Sequence, residues 1–171
     1  MTKKITSRRI LGSSEFRKLK LIGGHSIYHL EGNAYRHSIL VWRESKKVFK
    51  GDHIMQITAL LHDVGKIYTS VREGKHDWKY PNHAKAGGEN LYKFIPRDYP
   101  HFEEIRWYIQ NHIKPLFWRS VEDAQRLAKN MPEGCTIQNL AKLALCDLQG
   151  SHAVKEVDNS KLIRLLREIA A

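Results

Sequence analysis

The string LLHDVGK, residues 60–66, sets a histidine directly beside an aspartate at the end of an apolar run and adds Lys66 three residues later. If the run is helical, Asp63 lies at the buried end of an element, where an uncompensated charge is costly. His37 in YRHSIL, His112 in IQNHIKP and Asp147 in ALCDLQG share that context. Neutral imidazoles and ionised carboxylates are N and O ligands suited to a divalent cation, whose charge offsets the buried anions. Taken singly, each residue also fits a plainer role. His37, His62 and His112 read as hydrogen-bonded core histidines, Asp147 as an arginine-bound carboxylate and Asp63 as a partner for Lys66. A shared cation resolves the cost of burying all of them together.

Periodicity assigns these residues to elements. From Asn33 to Glu44, Ala34, His37, Ser38 and Val41 fall at i, i+3, i+4 and i+7, which predicts a helix with His37 turned inward. DHIMQITALLHDVGK predicts a second helix, with Ile54, Ile57, Thr58 and Leu61 on one face and Gly65 as its C-terminal cap. Adjacent helical residues point about 100° apart, so His62 and Asp63 reach one cation only near the end of that helix. VREGKHDWKYPNHAKAGG is polar and punctuated by Gly and Pro, predicting a loop, and GENLYKFI predicts a short helix.

Phe102, Ile105, Ile109 and His112 keep helical spacing up to Pro115, and VEDAQRLAKNM reads as an amphipathic helix. TIQNLAKLALCDLQG carries Leu140, Ala144 and Asp147 on one face and stops at Gly150. NSKLIRLLREIAA turns Leu162, Leu165, Leu166 and Ile169 inward, with Asn159 or Ser160 as N-cap. With strand signals absent, the fold expected is all-α, a single-domain helical bundle.

The 171 residues, 42% of them hydrophobic, suffice for one core and fit a single domain over 1–171. Its core is expected at about 33–150, between a basic N-terminal segment, 1–20, and a C-terminal packing helix, about 159–170. A formal charge of +11 makes a field that attracts polyanions and phosphorylated ligands. In the first twenty positions Lys3, Lys4, Arg8, Arg9, Arg17, Lys18 and Lys20 face only Glu15. No apolar run is long enough for a membrane span or a secretory signal, so a cytoplasmic protein without a membrane partner is expected. Cys135 and Cys146 have neither metal-ligand nor redox spacing and read as buried free thiols. His25, His29, His53, His76, His101 and His152 lack partners at fixed spacing and read as surface residues.

The ordered pattern of YRHSIL, LLHDVGK and ALCDLQG resembles the HD superfamily of metal-dependent phosphohydrolases, whose signature is H, then HD, then a distant D. The resemblance implies an all-helical core with His37, His62, Asp63 and Asp147 around a first metal ion. A subset of that superfamily adds two histidines between HD and the last aspartate, which let a second ion share the bridging aspartate. The sequence offers His83, in YPNHAKAGG, and His112. IQNHIKP is similar to the HD domain attached to bacterial tRNA nucleotidyltransferases, the CCA-adding enzymes. Where such domains usually carry GHE, this chain has Asn82, His83 and Ala84.

The chemistry implied is phosphohydrolysis by water activated on one or two divalent ions, with manganese, nickel, cobalt, magnesium and iron not distinguished. Asp63 would be the central ligand and proton acceptor, and Lys66 would offset charge on the phosphoryl oxygens. Lys66 fits equally a plain ion pair with Asp63. Arg36, Arg72 and Arg119 are candidate phosphate contacts, and Trp78 and Trp118 candidate stacking partners for a base. The substrates expected are phosphomonoesters or (cyclic) phosphodiesters of nucleotides or RNA ends. A small-nucleotide phosphatase and a non-catalytic, metal-stabilised RNA-binding module remain alternatives, and the oligomeric state is open.

Overall fold

The computed structural model describes residues 5–23, 32–73, 77–151 and 160–171. Lys3, Lys4, the N-cap candidate Asn159 and His25, His29, His76 and His152 lie outside the described residues. The chain opens with α1 (Ser7–Gly12), α2 (Ser14–Arg17) and a 3-10 turn, Lys18–Leu21. The long α3 (Ala34–Val48) follows, started by the Asn33 side chain, which accepts a hydrogen bond from the Arg36 amide at 2.9 Å. Asp52 starts α4 (His53–Leu61) in the same way, accepting from the amides of Ile54 and Met55. The single-turn α5 (Lys66–Thr69) then leads into an antiparallel pair, β1 (Val71–Glu73) and β2 (Asp77–Lys79), with Arg72 opposite Trp78.

After the hairpin come α6 (His83–Glu89), a 3-10 turn at Leu91–Lys93 and α7 (Phe102–Asn111). The chain closes with α8 (Val121–Ala128), α9 (Ile137–Gly150) and α10 (Ser160–Ala170). The architecture is an all-α, single helical domain carrying one small two-stranded sheet. No helix among the described residues is long and apolar enough to cross a membrane. The expected loop over 71–88 is corrected: it holds the hairpin and most of α6, which begins at His83 rather than at Gly88. Residue 82 is the reason. Asn82 adopts a left-handed conformation, φ 55°, that turns the chain out of the hairpin into the helix.

Two apolar clusters meet along α4. Met55 and Ala59 face one cluster with Val41, Tyr108, Leu140, Leu143, Ala144 and Leu166, whereas Ile57, Leu60, Leu61 and Val64 face the other. That second cluster also takes Ile5, Ile10, Phe16, Leu19 and Ile22 from the N-terminal segment, together with Ile105 and Ile109 of α7. The basic stretch is therefore anchored by apolar residues set between its charges. Cys135 and Cys146 are buried free thiols, each pushed up to about 12 chiefly by burial. His53 and His101 are exposed, as expected, but Trp118 is buried and packs in the core instead of offering a stacking surface.

Glycines set the distances between helices at two crossings. Gly65 has φ −62°, so it is not the left-handed cap its position suggests. A Cβ placed on it would come within 1.8 Å of the His83 carbonyl oxygen and 2.5 Å of the Gly87 amide. Gly65 is required because the chain after α4 presses backbone to backbone against α6. Gly150 does the same where α9 crosses α3: its Cβ would lie 2.8 Å from the Val41 amide nitrogen.

In a helix, alanine is ordinarily favoured over glycine by about 0.5–1 kcal/mol. At Gly150 the crowding reverses that preference, and Gly150→Ala is expected to destabilise the protein by about 1–3 kcal/mol in urea unfolding. A stabilised variant would show that α3 and α9 are not in close contact there.

Candidate metal centre

Three of the four candidate histidines stand at helix ends and are held alike. The Nδ1–H of His62, just after α4, donates to the Ala59 carbonyl at 2.8 Å. That of His112, just after α7, donates to Ile109 at 2.7 Å, and that of His83, opening α6, donates to Tyr80 at 2.9 Å. Each bond reaches back three residues and leaves Nε2 as the acceptor nitrogen of a neutral ring. His37 completes the set from the buried face of α3. The rings form a chain, with centroids 5.3 Å apart for His37–His62, 5.1 Å for His62–His112 and 5.2 Å for His83–His112.

Asp63 lies at the middle of this chain, its side chain 3% exposed, and its two oxygens face different partners. Oδ2 is 3.5 Å from Nε2 of His37, 3.5 Å from Nε2 of His62 and 2.6 Å from Nζ of Lys66. Oδ1 is 3.3 Å from Nε2 of His83 and 3.6 Å from Nε2 of His112. Asp147 closes the first side, with Oδ1 at 3.0 Å from Nε2 of His37 and 3.6 Å from Nε2 of His62. The ligand atoms of His37, His62 and Asp147 lie within 4.8 Å of one another, as do those of His62, Asp63 and His112.

Burial works to raise the pKa of Asp63, but Lys66, His62 and the neighbouring His112 and His83 outweigh it and hold the carboxyl well below the usual range. Asp147 is likewise held well down against the effect of burial, by His37 and His62. Burial lowers the pKa of His112 and keeps its ring neutral. At His83 burial also acts downward, but Asp63 dominates and the pKa is raised.

The residues present fit a divalent cation. Nε2 of His62 is buried and makes no hydrogen bond, although it is the acceptor of a ring fixed through Nδ1. A metal ion would use that lone pair, and the i−3 carbonyl bonds are the outer support that orients histidine ligands. Lys66, 5% exposed, forms the ion pair with Asp63 and also lies 4.7 Å from the Tyr80 ring centroid.

The candidate substrate contacts are spread more widely. Arg36 is exposed on the first turn of α3, next to His37. Arg72 is exposed on β1, 5.9 Å from the Trp78 ring centroid. Arg119 is paired with Asp123 and lines a groove with Trp118, Lys161, Arg164 and Leu165, none of them a ligand candidate.

Tyr80 escapes the sequence reading, yet its carbonyl orients His83 and its ring covers Lys66. Its hydroxyl also donates to the Gly23 carbonyl. The signal was its place three residues before a histidine, the offset that Ala59 and Ile109 share.

A family model described as the HD domain matches residues 34–158. That span holds all six candidate ligands, Lys66 and Tyr80. No curated protein and no solved structure matches the chain.

A cation at 100 times its dissociation constant adds about 2.7 kcal/mol of stability when it binds only the folded state. For a chain of this size that raises Tm by about 5–11 °C. Chelator-treated protein should show such a rise with manganese, nickel or cobalt in calorimetry, and Asp63→Asn should remove most of it. An equal rise in the variant would place binding elsewhere.

Proposed function

The chain belongs to the HD-domain family, whose members are generally metal-dependent hydrolases. From that premise we propose that it is a divalent-metal-dependent phosphohydrolase acting on phosphomonoesters or (cyclic) phosphodiesters, with RNA ends its preferred substrates. What carries the reading is the convergence of four imidazole Nε2 atoms and two carboxylates on one small volume, with Lys66 beside them.

His37, His62, Asp63 and Asp147 would hold one ion, and His83, His112 and the other oxygen of Asp63 a second. Such an ion supplies charge to a phosphoryl oxygen and lowers the pKa of a water towards neutrality. Everything else is done by the chain. Asp63 remains ionised at neutral pH, the state that a ligand and a proton acceptor both require, and a carboxyl held so low takes a proton only from a water that a cation has made strongly acidic. Lys66, pinned between Asp63 and Tyr80, places a fixed positive charge where the phosphoryl oxygens gain negative charge. Asp147 and His83, each 16% exposed, form the open edge of an otherwise buried site, and substrate enters there. Arg36 and Arg72 would meet the substrate outside that edge, and Arg119 would meet only a longer chain. RNA ends are preferred over small nucleotides because +11 on 171 residues favours a polyanion.

One observation favours a non-catalytic reading: the Lys66–Asp63 ion pair at 2.6 Å already compensates the central carboxylate. Turnover decides. The assay presents the protein, loaded in turn with manganese, nickel, cobalt and magnesium, with nucleoside monophosphates, cyclic phosphates and end-labelled RNA. Hydrolysis by the wild type and loss of it in Asp63→Asn are expected, and no turnover on any substrate would leave an RNA-binding module. Lys66→Met should lower kcat by about 10²–10³ with KM little changed, since it removes charge that acts in the transition state.

The two oxygens of Asp63 also predict how metal uptake varies with pH. A histidine must be deprotonated to ligate, and the raised pKa of His83 makes a proton compete with the second ion. In calorimetric titrations the second equivalent should bind more weakly at pH 6 than at pH 8, and more so than the first. His83→Ala should leave one equivalent at both values.

A further inference from the structure

On the far side of α5 from Lys66 lies a cluster of aromatic rings and cations that the reaction does not use. Tyr92, in the 3-10 turn Leu91–Lys93, is 45% exposed. Arg97 Cζ lies 4.8 Å from its ring centroid and Lys93 Nζ 6.0 Å. Lys93 Nζ also sits 4.2 Å from the Tyr68 ring on α5. Tyr68 donates its hydroxyl hydrogen bond to Glu15 at 2.6 Å, and Glu15 is itself paired with Lys18 at 2.6 Å. The carboxylate of the cluster is thereby already engaged, while Lys18, Lys93 and Arg97 project into solvent.

We propose that this face, formed by the turn Lys18–Leu21, α5 and the turn Leu91–Lys93, binds single-stranded nucleic acid. Tyr92 is the stacking platform for a base, and Lys93 and Arg97 hold the backbone phosphates. The proposal rests on the reading that the metal centre takes a nucleic-acid end, and it names where the rest of that chain lies. An exposed aromatic ring among cations is the arrangement that binds single strands with little sequence preference, since every base has a face to stack. The platform is also rigid: Leu91 is 0% and Phe94 8% exposed, so the turn that displays Tyr92 is anchored in the core on both sides. A surface fixed before binding loses less entropy when a strand docks.

Helical geometry links this face to the reaction site. Lys66 and Tyr68 are two residues apart on α5, so they point about 200° apart around a helix about 10 Å across. A strand with its terminal phosphate at Asp63 would leave by the edge at Asp147 and His83 and pass round α5 to reach Tyr92. A mononucleotide does not extend that far, so affinity should depend on length.

The test is fluorescence anisotropy with a fluorescein-labelled 12-nucleotide oligoadenylate RNA at several salt concentrations, on variants with unchanged Tm. Tyr92→Ala should weaken binding about 5- to 150-fold, the effect of losing one stacked base, while Tyr92→Phe keeps the ring and stays within about twofold. Lys93→Gln combined with Arg97→Gln should reduce the slope of log affinity against log salt by about 1.4, for two lost phosphate contacts. Metal-dependent turnover of a small ester such as bis(p-nitrophenyl) phosphate should not change in any of them. That separates failure of this proposal from failure of the catalytic one. Wild-type affinity in Tyr92→Ala would overturn the proposal, as would a wild-type protein that fails to bind the RNA. Equal binding of polyglutamate would also overturn it, by showing a surface that selects charge alone.

Discussion

A carboxylate that is 3% exposed and still ionised governs this structure. Asp63 has lost its hydration, and an anion in that state persists only if the protein replaces what water supplied. The replacements come from separate stretches: His37 from α3, His62 and Lys66 from its own segment, His83 from α6 and His112 from beyond α7. Removing one member of a buried charge pair typically costs about 3–5 kcal/mol, so each helix that delivers a partner is constrained by Asp63 as well as by its own apolar face. The metal centre and the arrangement of these helices are thus one constraint.

Apolar burial supplies the stability that such a site consumes. The two clusters flank α4, and the imidazoles lie where they meet, with His62 at the C-terminal end of the helix they share. Apolar packing alone tolerates small slips of one helix along another. The polar seam does not, because a shift of about 1.5 Å, one residue's rise, would break the slipped helix's distances to Asp63. The glycine crossings serve the same end. Gly65 against α6 brings His83 to Asp63, and Gly150 against α3 brings Asp147 to His37.

The sequence made the helices legible wherever one apolar face ran for about two turns or more, and hence it showed the inward direction of His37, His112 and Asp147. It concealed what depends on contacts between distant residues. Gly65 resembles a helix cap because a cap is the local reason for glycine at such a position, but its actual neighbour, His83, lies eighteen residues along the chain. The hairpin was hidden by its short polar strands, and α6 was displaced because left-handed Asn82 carries no apolar period. The basic N-terminal segment drew attention through its charge, while Ile5, Ile10, Phe16 and Leu19, spread singly among the cations, tie it to the core. Tyr80 acts through a carbonyl and a ring face, for which the sequence offers only its place three residues before a histidine and nothing that marks its residue type.

Charge balance connects the number of ions to the kind of phosphate the site would accept. Among the described residues, with neutral imidazoles, two carboxylates against the ammonium of Lys66 leave the buried site with one excess negative charge. In that state the site repels phosphate, despite the basic surface around it. A single divalent cation would reverse the sign and leave one positive charge, which matches a phosphodiester monoanion. A second would raise the surplus to three, which suits the dianion of a phosphomonoester. Lys66 weighs in this balance, since without it a single cation would merely neutralise the two carboxylates and leave no surplus for the charge that builds on the phosphoryl oxygens in the transition state. The division of Asp63, with Oδ2 towards His37, His62 and Lys66 and Oδ1 towards His83 and His112, sets on which side of one carboxylate each such charge would be added.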